Sequence, residues 1–190
     1  MTDPKDFPQL IPPHGGYREL QSYRMAEIVF DATIVFCDRF IDRHSRTHDQ
    51  MVQAARSGKQ NIAEGSMASG TSKKFEIKLI GVARASLEEL LLDFEDYLRQ
   101  KNLPLWEKDD EQARKVRALA HEKNRSYKTY KTYIEQSSPE VAANAAICLI
   151  HQTNYLLDQQ LRALEKEFLK EGGFTEKLYR VRSQMRKKEK

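Results

Sequence analysis

Histidines, cysteines and carboxylates are the side chains that could do chemistry here, and their spacing excludes the familiar centres. A di-iron site in a helical bundle needs Glu-x-x-His on facing helices, and no glutamate of this chain has a histidine three residues later. His121-Glu122 lacks the second histidine of a zinc-protease helix. His44 and His48 are four apart with Asp49 adjacent, but they straddle an expected helix junction, which spoils the ligand geometry. His151, on the last long helix, reads as an interface or hydrogen-bonded residue. Cys37 and Cys148 sit in apolar helical patterns, where thiols are inert. No G-x-S-x-G elbow, P-loop or dinucleotide fingerprint occurs. Glu64, Glu88 and Glu89 could serve as acids or bases, but Arg84 and Glu88 are spaced i, i+4 and read as an ion pair. No catalytic residue, metal or cofactor is expected, and the reading is a non-enzyme.

Cations are better placed than any of these. The chain carries +4 overall and its last fourteen residues +6, so the first 176 carry −2. Lys177, Arg180, Arg182, Arg186, Lys187 and Lys188 could neutralise several phosphates, with a salt-dependent gain in affinity. Lys73, Lys74 and Lys78 could extend that patch. The plain alternative is a solvated end. Tyr127, Tyr130 and Tyr133, interleaved with Lys128 and Lys131, could stack on unpaired bases. Their spacing of three favours packing along one side of a helix instead.

These residues must be positioned by helices, because apolar residues recur at three and four. Residues 1–16, with six prolines and glycines including Pro4 and Pro8, read as an extended, mobile lead-in. A first long helix follows over 17–43, with the stripe Met25, Ile28, Val29, Ala32, Val35, Phe36 and Phe40. A second starts at Thr47, where Thr47 and Gln50 fit a capping box, and is lined with small residues. Gly58 within it implies that a neighbouring backbone passes close by. Gly65 is expected to stop it. Thr71 or Ser72 caps a third helix running to 101, with the stripe Phe75, Leu79, Val82, Ser86, Leu87, Leu90, Leu91, Phe94 and Leu98. Pro104 breaks the pattern, and one charged helix is expected over 109–135. Ser138-Pro139-Glu140 starts the last long helix, which Gly172-Gly173 ends. The basic tail, 174–190, continues as a further helical piece or as a disordered end.

The fold class is therefore all-α. The expected architecture is an antiparallel up-and-down four-helix bundle over 17–173, with 102–138 inserted between its third and fourth helices. Two cysteines in apolar surroundings, no signal-peptide pattern and no apolar run of transmembrane length place the chain in a reducing cytoplasm, away from membranes.

One stretch carries a family likeness. QMVQAARSGKQNIAEGSMASGTSKKFEIKLIGVARASLEEL resembles the signature of a bacterial four-helix-bundle family named for proteins encoded in intervening sequences of large-subunit ribosomal RNA genes. It is also similar to the accessory protein of diversity-generating retroelements. Among the members, the longer four-helix-bundle suffix proteins look nearest. The specific residues are Asn61-Ile62-Ala63-Glu64-Gly65, the preceding Gln53-Ala54-Ala55-Arg56-Ser57, and Arg84-Ala85-Ser86-Leu87-Glu88-Glu89. The likeness covers 17–101 directly and extends to 139–171 as the fourth helix. It implies a homopentamer that binds RNA or DNA beside a protein partner such as a reverse transcriptase. Arg56, Gly58, Asn61, Glu64, Gly65, Arg84 and Glu88 then read as hydrogen bonders and close-packing positions in the bundle or at a subunit seam. The insertion, the Pro-rich start and the basic tail depart from the short members. Two functions follow from the sequence: a nucleic-acid-binding module, or a protein–protein scaffold for which nucleic acid is irrelevant.

Overall fold

The computed structural model describes residues 10–188, and the described residues are all-α: seven α-helices and two 3-10 turns. Pro4, Pro8 and the last two residues of the basic tail lie outside that range. The helices are α1 (Gln21–Phe40), α2 (Arg46–Ala68), α3 (Lys73–Gln100), α4 (Glu111–Ala118), α5 (Tyr127–Glu135), α6 (Pro139–Glu171) and α7 (Phe174–Lys188). α1 packs on α2 and α6, and α3 packs on the same two, so the four long helices enclose one core. Met25, Ile28, Val29, Ala32 and Phe36 of the first expected stripe are buried. Phe36 is the aromatic hub, with ring centroids 4.8 Å from Phe94, 5.0 Å from Tyr97 and 5.2 Å from Phe40. Phe75 and Val82, expected inside, are exposed; Glu76, Ile80 and Ala83 take the inward positions on α3.

The boundaries of α2 need two corrections. Ser45, not Thr47, is its N-cap, accepting a hydrogen bond from the Thr47 backbone N–H. Gly65 does not stop the helix, which continues to Ala68. Gly65 is buried against the start of α3, and a Cβ there would lie 3.4 Å from the Glu76 carbonyl oxygen and from Leu79 Cβ. The close backbone approach inferred at Gly58 therefore occurs at Gly65. Gly58 instead makes room for a side chain: a Cβ on it would meet Leu87 Cγ and Cδ2 at 2.7 Å.

α3 ends with Asn102 in the left-handed conformation (φ 52°) and the Leu103 N–H bonded to the Leu98 carbonyl at 2.9 Å, a Schellman closure. Beyond it, the single charged helix expected over 109–135 is two short helices. Ser126 begins a new one, its capping box with Thr129 satisfying backbone donors at both positions, and this breaks helical continuity. The break lets α4 insert Ala113 and Val116 and α5 insert Tyr130 and Ile134 into the core. These pieces, with the 103–106 loop, cover the outer side of α6. Every residue from 142 to 150 is buried, and helices buried all round are apolar all round. Asn144 pins the loop, accepting from the Trp106 N–H (2.8 Å) and donating to the Pro104 carbonyl (2.9 Å). Arg39 donates to the carbonyls of Ile134 and Ser137, holding α5 and its exit against α1.

The described part of the lead-in is docked. The Gly15 N–H bonds the Ser66 carbonyl at 3.2 Å, and Gly70 leaves room for His14 and Ile11. No described helix is long and apolar enough to cross a membrane.

Candidate nucleic-acid interface

α7 is built by two glycines and a glutamate. Gly172, at φ 76°, ends α6 in a conformation costly for other residues, and its N–H bonds the Phe168 carbonyl. Glu176 folds back so that its carboxylate accepts from the Gly173 N–H at 2.8 Å, and its charge suits a helix N-terminus. Arg180 donates to the last carbonyl of α6, on Glu171, at 2.8 Å. Phe174, Leu178, Val181 and Met185 recur at four, three and four, forming a half-buried stripe outside the main core. Lys177, Arg180, Arg182, Arg186 and Lys187 are all exposed, and Lys188 closes the helix.

The structure brings part of the expected patch together. A cleft of about 630 Å³ separates α7 from the body, and Lys73, Lys177 and Arg180 line it together with Leu10 and Pro12 of the lead-in. Lys73 is not available to a phosphate, because its ammonium is 2.9 Å from Glu76 and 3.3 Å from Glu167 with its side chain only 20% exposed. Burial opposes the Lys73 charge, but the two carboxylates outweigh it and hold its pKa above the ordinary lysine value. Burial likewise raises the Glu76 carboxyl, against the pull of Lys73. Lys74 and Lys78 are exposed on the first turns of α3.

The signature residues separate. Arg84 and Glu88 form a network within the chain: Arg84 donates to Glu88 (2.6 Å) and to Asp158 of α6 (3.1 Å), and Asn154 of α6 donates to Glu88 (3.3 Å). Burial costs Arg84 some of its charge preference, and the two carboxylates more than restore it. Asn61 donates only to the Ser57 carbonyl of its own helix, and Arg56 and Glu64 are exposed on the outside of α2. Of the three tyrosines, Tyr130 is fully buried and Tyr127 donates its hydroxyl to Glu135 at 3.0 Å, so packing holds both.

Burial pushes the Cys37 thiol up to about 12 and the Cys148 thiol to about 11, leaving both as thiols. No group of three or more His, Cys, Asp or Glu side chains stands close enough to hold a metal ion among the described residues. His48, on the first turn of α2, lies 3.5 Å from Asp38.

A second concentration of cations was not legible in the sequence. Arg18 and Arg24 near the start of α1 face Lys123 and Arg125 of the α4–α5 connection and Lys128 at the start of α5 across a cleft of about 540 Å³. Residues a hundred positions apart are joined by Arg125, which donates to Gln21 and lies 3.2 Å from Met25 Sδ, and no local pattern announces that contact. No family model, curated protein or solved structure matches this chain.

Proposed function

We propose that this chain is a non-enzymatic helical-bundle module that binds RNA or DNA through α7, either alone or as the accessory of a nucleic-acid-acting protein. On this reading α1, α2, α3 and α6 form an up-and-down four-helix bundle, and 102–138 is a helical insertion folded onto it. The observation that carries the reading is α7 itself: five exposed cations on one short helix that contributes nothing to the core, attached to an otherwise slightly acidic body. Phosphate neutralisation by such cations releases counterions and gives affinity that falls steeply with salt.

Copies of the chain assemble, as a pentamer on the family likeness. Phe75 and Val82, two turns apart on α3, are 48% and 41% exposed and form a short apolar line, with Leu92 56% exposed further along the helix, and exposed large apolar side chains suit contact between copies. A ring would gather several α7 helices on one strand and multiply their affinity through effective concentration. The same apolar line favours the alternative, a protein–protein scaffold without nucleic-acid binding.

A mobility-shift assay at two salt concentrations separates the two. The full chain should bind RNA and DNA, and replacement of Arg180, Arg182, Arg186 and Lys187 by Gln should weaken binding and flatten its salt dependence. Equal binding by wild type and variant would remove α7 from the mechanism. Light scattering showing a monomer at micromolar concentration would remove the assembly.

A further inference from the structure

The cleft between α1 and the α4–α5 connection has the chemistry of a nucleotide site. Its rim carries Arg18, Arg24, Lys123, Arg125 and Lys128, and its lining includes the carboxylates of Glu27 and Asp31, one turn apart on α1, and the ring of Tyr23. The rim is partly held in place. Arg24 is fixed by the Arg18 carbonyl (2.8 Å) and Glu19, and Arg125 by Gln21, with its Nη1 bonded to no other described residue. The Tyr23 ring is braced edge-on by Tyr17, centroids 4.8 Å apart. Lys123, Lys128 and Glu27 are exposed, and Asp31 is half-buried. Burial, then the neighbouring Glu27, raises the Asp31 carboxyl above its ordinary range against the pull of Lys59, so a hydrogen-bond donor brought to Asp31 would relieve it.

Lys123, Arg125 and Lys128 come from one wall of the cleft, and the Glu27 and Asp31 carboxylates and the Tyr23 ring from the other, which also carries Arg18 and Arg24. Cations, acceptors and an aromatic ring around one cleft match the three parts of one nucleotide: phosphate, donor-bearing base edge and base plane. We propose that this cleft holds a single unpaired nucleotide of a bound strand, its phosphate on Lys123, Arg125 and Lys128, its base against Tyr23, and its Watson–Crick edge donating to Glu27 and Asp31. Guanine fits best. Its N1–H and 2-amino group donate side by side, whereas uracil offers one N–H and adenine one amino group, and carboxylates accept from such donors. The position in the fold agrees. Gly15 bonds Ser66 near the end of α2, and Ser22 bonds Gln160 (2.6 Å) in the second half of α6, so the start of α1 lies toward the end of the molecule from which α7 leaves. A strand gripped by the α7 cations would present its bases there.

This inference rests on nucleic-acid binding through α7, and the two can fail separately. In fluorescence anisotropy with the full chain, a short RNA strand carrying isolated guanosines should bind about tenfold more tightly than the uridine-only strand. Glu27→Gln with Asp31→Asn should abolish that ratio without abolishing binding. Lys123→Gln with Lys128→Gln should weaken both strands. The α7 variant lacking four cations should weaken both strands yet keep the ratio. Equal affinity for the two strands, or an unchanged ratio in the carboxylate variant, overturns the site while leaving α7 binding intact. No binding to either strand overturns both. As a second readout, guanosine monophosphate titrated into the full chain should shift the ring proton signals of Tyr23 before those of Tyr179, which lies exposed on α7; no shift at Tyr23 would count against the cleft.

Discussion

α2, expected as a helix, and α7, for which the sequence left helix and disordered end both open, are held in opposite ways. In α2 the repeating residues are small and inward: Ala54, Ala55, Gly58, Ile62 and Gly65 are buried, and α1 and α3 close on them. In α7 the repeating apolar residues are only half-buried, Lys177, Arg182, Arg186 and Lys187 are exposed, and no residue over 174–187 is buried. A fifteen-residue helix is marginal alone in water, so α7 depends on its Glu176 cap and on contact with the end of α6. Stability and charge thus occupy different helices. Substitutions in the first group should move stability and leave ligand affinity alone, and those in the second should do the reverse.

The largest expected effect is in the core. Phe36→Ala removes a fully buried ring that three other aromatics contact, and should cost about 4 kcal/mol in denaturant unfolding. Gly58→Val should cost about 2–3 kcal/mol, because new methyl groups would be forced into Leu87. Pairing it with Leu87→Ala tests the cause: the double variant should lose less than the two single costs added together, and strict additivity would dissociate Gly58 from Leu87. Alkali comes next. The folded thiol pKa values of Cys37 and Cys148 stand above the unfolded value of 9.0, so their contribution is complete below pH 9 and drains away as pH rises toward 12 and 11 respectively. Each should cost about 1.4 kcal/mol per pH unit in that window. Cys37→Ser, otherwise destabilising, should flatten that slope.

Arg84→Ala should cost only about 1 kcal/mol, since its network with Glu88 and Asp158 is part-exposed and screened. The smallest stability effect belongs to α7. Replacing Arg182, Arg186 and Lys187 with Gln, with Arg180 left on the Glu171 carbonyl, should change unfolding free energy by less than about 0.5 kcal/mol. A larger loss would mean that these cations help hold the fold, and the separation of roles between α2 and α7 would fail.

Local rules served the sequence well wherever neighbours in space were also neighbours in the chain. The third helix, expected to 101 behind a Thr71 or Ser72 cap and found over 73–100 behind Ser72, and the Ser138-Pro139-Glu140 start follow from side chains acting on backbone within one turn. Gly65 misled for a definite reason: a glycine that ends a helix and a glycine that admits another backbone look the same in one dimension. Phe75 and Val82 misled because two registers of the α3 stripe are nearly equally apolar, and the choice was made by contact with α2 and α6. The charged stretch 109–135 concealed a turn at Ser126 whose cap partner, Thr129, also fitted a continuous helix. The cation tail was readable because charge density is a local property. The facing of Arg18 and Arg24 with Lys123 and Lys128 was not, since it exists only once the insertion has folded onto α1.

The hydrogen bond from Ser22 to Gln160 also sets an order in time. It joins residues 138 positions apart. During synthesis at roughly 5–20 residues per second, α1 waits on the order of ten seconds for the helix that completes its burial. Until then α1 and α3 each lack one of the two long helices they pack against, so a nascent chain stalled before residue 139 should be the form most prone to capture by chaperones or to aggregation.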